Sequence, residues 1–91
     1  MATPTTPENL KRIDDMFTTI EDMMIRLYNR WQDEQDYENI EDYRLPIQRE
    51  LPAGFVITKM TKRPFGFKFD IGTDAMYQVY VTAGQLGWKR I

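Results

Sequence analysis

The chain has 91 residues, 42% apolar and 29% charged, a net charge of −2, and neither cysteine nor histidine. That length makes one domain with a modest core. The missing residue types exclude disulfides, thiolate metal sites, cysteine nucleophiles and imidazole bases or ligands.

No apolar run approaches the eighteen or so residues of a membrane span, and the first residues lack the basic and apolar regions of a signal peptide. The expectation is a cytoplasmic protein with no membrane partner. The charge is unevenly divided: residues 1–50 carry six basic and twelve acidic side chains, whereas residues 51–91 carry six basic side chains and only Asp70 and Asp74 as acids. The apolar period changes near the same boundary, from helical to strand-like.

Residues 1–6 read as a flexible lead, and 7–91 as one domain with a helical half (7–51) and a sheet half (54–91). Thr6-Pro7-Glu8 is a helix start: a hydroxyl cap, proline at the first helical position, and an acid at the positive end of the dipole. Leu10, Ile13, Phe17, Ile20, Met24, Leu27 and Trp31 then recur at spacings of three and four, and Met16, Met23 and Tyr28 widen the stripe to roughly 140°. A stripe that broad exceeds what one sheet face covers. Six acids in residues 33–42 oppose the dipole at a helix C-terminus, so the helix ends there. The sequence predicts a break before Pro46, a short helix from it, and a loop at Leu51-Pro52-Ala53-Gly54.

From Phe55 the period becomes two. Strands are expected at 55–61, 65–71, 77–82 and 86–91, with turns at 62–64, 72–74 and 83–85. Burying Phe65, Phe67, Phe69 and Ile71 beside Tyr77, Val79 and Val81 requires partner numbers with an even sum. The fold expected is α+β: a long N-terminal amphipathic helix and a short second helix on a four-stranded antiparallel meander.

No residue pattern points to catalysis. The chain also lacks serine; Asp70 and Asp74 bracket a glycine turn that accounts for them as turn formers. The glycines are scattered and form no phosphate-cradling loop. Residues 33–42 lack the spacing of a calcium loop. No enzyme activity, cofactor or metal is expected.

The leading functional reading is a small protein-interaction module, a homodimer or the accessory subunit of another protein. It would use a stripe margin at Met16, Met23 and Trp31 and the acidic residues Asp36, Glu38, Glu41 and Asp42. The alternative is a nucleic-acid-binding domain whose charges track phosphates while aromatic rings stack on bases, using Lys62, Arg63, Lys68, Tyr80, Trp88 and Lys89. A third reading is a small apolar-ligand binder with a pocket between helix and sheet lined by Met24, Phe67 and Phe69.

Overall fold

The computed structural model describes residues 6–34, 39–72 and 75–91. The elements are α1 (Pro7–Glu34), a 3-10 helix (Ile40–Tyr43), α2 (Arg44–Glu50), β1 (Val56–Lys62), β2 (Phe65–Asp70), β3 (Tyr77–Thr82) and β4 (Gln85–Arg90). The strands pair antiparallel in chain order, and both helices pack on the same face of this meander. The expected α+β arrangement is present. Among the described residues no helix is long and apolar enough to cross a membrane.

Helix α1 begins where the capping residues place it. The Thr6 hydroxyl accepts from the Asn9 backbone N–H at 3.2 Å, and the Thr6 carbonyl accepts from Leu10 N–H at 2.9 Å. Its 28 residues extend about 42 Å at 1.5 Å each. The long axis of the molecule is 41 Å, so this helix sets its length.

The buried ladder of α1 is Ile13, Met16, Ile20, Met24 and Trp31, while Phe17, Met23 and Leu27 are half-buried and Leu10 is 44% exposed. The stripe is therefore centred on Met16 and not on Phe17. A stripe so wide contains two ladders of three-and-four spacing that share Ile13, Ile20, Met24 and Trp31. The position of the sheet selects between them.

The break expected before Pro46 is absent. The 3-10 helix runs directly into α2, and Pro46 is the third residue of α2. Its missing N–H falls in the first turn, where backbone N–H groups have no partner within the helix, so nothing is lost. Asn39 caps the 3-10 helix, its side-chain oxygen accepting from Glu41 N–H.

Strand β1 departs from simple alternation. Ile57 pairs with Phe69 and Lys59 with Lys68, which leaves Thr58 as an extra, bulged residue. The bulge reverses the faces beyond it, so Ile57 and Met60 both enter the core while Lys59 turns outward. Between β2 and β3, Phe65 opposes Val81 and Phe67 opposes Val79, giving the expected even sum.

The core between the layers is rich in rings. Tyr28, Trp31, Tyr43 and Phe65 meet at one end, with centroids 5.7–6.2 Å apart in the contacting pairs. Phe55, Phe69, Tyr77 and Trp88 form a chain of contacts at the other.

Candidate functional site: the open face of the sheet

Because the odd-numbered residues of β2 and β3 face the helices, their even-numbered neighbours face away. The registers align Lys59, Lys68, Gln78 and Lys89 side by side in one row across all four strands. At the usual strand spacing the row spans about 14 Å. Among the described residues none of its three lysines forms an ion pair. Lys59 and Lys68 oppose each other directly, an arrangement that costs a sheet stability until an anion neutralises it.

The next row is Thr61, Gly66, Tyr80 and Gly87. Tyr80 thus has glycine on both sides, and its ring leans over Gly87. A β-carbon built there would lie 3.1 Å from the ring's Cε2, Cζ and hydroxyl oxygen. The Lys89 ammonium lies 5.8 Å from the ring centroid. The result is a single half-buried aromatic ring with glycine as its neighbour on both adjoining strands, beside a row of cations.

Of the six residues expected to bind nucleic acid, Lys68, Tyr80 and Lys89 come together here. Trp88 does not: it pairs with Val79, faces the helices and touches Tyr77. Parity places Lys62 on that same side, opposite Phe65 at the hairpin end, and Arg63 is exposed in the turn. Lys59 is the member that sequence reading missed. Its signal was the three-residue spacing of Ile57 and Met60, which regular alternation cannot bury on one face.

The other expected surfaces are placed differently. Met16 is 1% exposed and Trp31 8%, so both are core and not a free margin; Met23 is half-buried. The shift of the buried ladder toward Met16 is the reason. Asp36 and Glu38 lie outside the described residues, as do residues 1–5 and Asp74. Glu41 and Asp42 are exposed in the 3-10 helix. Glu41 accepts two hydrogen bonds from Arg44, Nε to Oε2 at 2.8 Å and Nη2 to Oε1 at 3.2 Å. This pairing holds the Glu41 carboxyl below its ordinary pKa and raises that of Arg44. Arg44 also donates to the Ile57 carbonyl at 3.1 Å, so the acidic turn is bonded to its own neighbourhood.

Met24, Phe67 and Phe69 are fully buried in the packed core and do not line the clefts described at the surface. One surface cleft lies instead beside α1 and the β3–β4 turn, lined by Glu21, Asp22, Ile25, Arg26, Gly84, Gln85 and Leu86. Asp70 accepts from Gly72 N–H at 3.1 Å, as expected of a turn former.

Comparison with protein-family models, with curated proteins and with solved structures finds no match.

Proposed function

We propose that this protein is a non-enzymatic binding module that holds single-stranded nucleic acid on the open face of its sheet. The observation that carries the reading is the row Lys59, Lys68 and Lys89 beside Tyr80 on a face that neither helix covers. Ammonium groups outside any ion pair attract a phosphate backbone, and a ring flanked by glycines offers a face on which a base stacks whatever its identity. A sheet face suits splayed bases better than a duplex, whose major groove takes a protruding helix or ribbon. The overall negative charge does not oppose this, because twelve of the fourteen acids belong to the helical half. A chain without cysteine suits a reducing cytoplasm.

The test is fluorescence anisotropy with a labelled single-stranded oligonucleotide over a range of salt concentrations. Three lysine contacts give a slope of log affinity against log salt near −2, at about −0.7 per phosphate neutralised. Tyr80→Ala weakens binding about tenfold or more, since base–aromatic stacking is worth about 1–3 kcal/mol. Lys89→Ala flattens the slope by about 0.7. Absent binding at low salt refutes the reading, and so does binding that polyaspartate competes away equally well and Tyr80→Ala leaves unchanged.

A further inference from the structure

The two edges of the sheet are finished differently. Where the chain enters β1 the outward backbone groups of Phe55 and Ile57 are occupied by side chains from α2: Gln48 Nε2 donates to the Phe55 carbonyl at 2.7 Å, and Gln48 Oε1 accepts from Ile57 N–H at 2.9 Å. Arg44 fills the Ile57 carbonyl, and the bulge at Thr58 interrupts the strand. These are the devices by which sheets blunt an edge against pairing.

Strand β4 has none of them. It pairs with β3 without interruption from Tyr77↔Arg90 to Thr82↔Gln85. Ile91 N–H donates inward to the Met76 carbonyl at 2.8 Å, so by alternation Leu86, Trp88 and Arg90 turn their backbone groups outward. Among the described residues those groups have no partner in hydrogen bonding.

We propose that a second copy of this chain pairs antiparallel along β4, joining two meanders into one eight-stranded sheet. A two-fold axis requires that the same surface meet itself, and β4 satisfies this. With Gly87 facing its own copy, Leu86 and Trp88 exchange backbone hydrogen bonds with Trp88 and Leu86 of the other chain. Arg90 then lies beside Gly84 of the other chain. Parity places its side chain on the helix side, since it opposes Tyr77, and there the cleft at Gly84–Leu86 presents Glu21 and Asp22. Arg26 lines the same cleft, so two acids and one base receive one further cation and the balance becomes neutral. The half-buried Ile25, Leu86 and Trp88 supply apolar contact along the seam.

The experiment is sedimentation velocity on the full chain, without nucleic acid, up to high micromolar concentration, with amide hydrogen exchange on the same samples. Wild-type protein shifts from monomer to dimer, and the Leu86 and Trp88 amides gain protection as concentration rises. Arg90→Glu raises the dissociation constant about tenfold or more, and adding Glu21→Lys and Asp22→Lys to it restores dimerisation. Strict monomer at every concentration overturns the proposal. So does a dimer that Arg90→Glu leaves intact, or one whose new protection falls outside β4.

Discussion

Replacing Gly66 with alanine would place a methyl group inside the neighbouring strand. Gly66 has a φ of +157°, and a β-carbon there would lie 1.9 Å from the Val79 carbonyl oxygen and 2.8 Å from Tyr80 Cα. These are backbone atoms of β3, so no rotamer change relieves the overlap. Restoring contact distance means moving β2 and β3 apart by more than an ångström. That would break about two ladder hydrogen bonds, each worth about 1 kcal/mol net, and loosen packing beneath them at a further cost of about 1–3 kcal/mol. The lower entropy of an unfolded alanine offsets about 0.4–1 kcal/mol of that loss. The net loss is therefore about 2–5 kcal/mol, a large share of the roughly 5–10 kcal/mol that holds a domain of this size together.

Urea unfolding followed by circular dichroism would show a lowered midpoint at unchanged slope. The internal comparison is Gly87→Ala, whose β-carbon meets only the Tyr80 ring at 3.1 Å. That ring can swing aside, so stability falls by less than about 1 kcal/mol. The displaced ring should nonetheless weaken oligonucleotide binding. Should Gly66→Ala cost no more than Gly87→Ala, the close approach of β2 to β3 beside Tyr80 is refuted.

The remaining predictions concern the α2 contacts. Gln48→Ala removes both side-chain bonds to the β1 edge and leaves partly buried backbone groups unpaired, costing about 1–3 kcal/mol by urea unfolding. Because that edge is also exposed, the variant should form higher aggregates on prolonged storage, measured by light scattering. For Glu41, hydrogen bonding to Arg44 lowers the folded-state pKa. Its stabilisation is therefore fully present above the ordinary glutamate value and is lost as pH falls through the lowered one. Glu41→Gln should flatten the acid limb of stability against pH and leave neutral stability nearly unchanged, since the pair is exposed and screened. An identical acid limb in the variant would show that the pair contributes nothing.

Much of the architecture was legible because it rests on local rules. Thr6-Pro7-Glu8 carries the local signals of a helix start, and Phe65 to Ile71 alternates as a strand with one buried face does. The even register sum followed from burial of one face alone. Three features were not legible. Pro46 looked like a break, but an upstream turn already in helical geometry absorbed its missing donor. Met16 looked marginal because a wide stripe has two possible centres. Lys59 was missed and Trp88 was assigned by its place beside Lys89, whereas a bulge in β1 and the parity of β4 decided their faces.

The charge division between the two halves is a property of the sequence, as are the identities of the elements and the absence of thiol and imidazole chemistry. Where that charge acts is a property of the tertiary structure. Lys59, Lys68 and Lys89 are separated by up to thirty positions in the chain, and local propensity carries no information about their meeting. Strand register brings them into one row, places glycines on either side of the tyrosine next to them, and both helices pack on the opposite face.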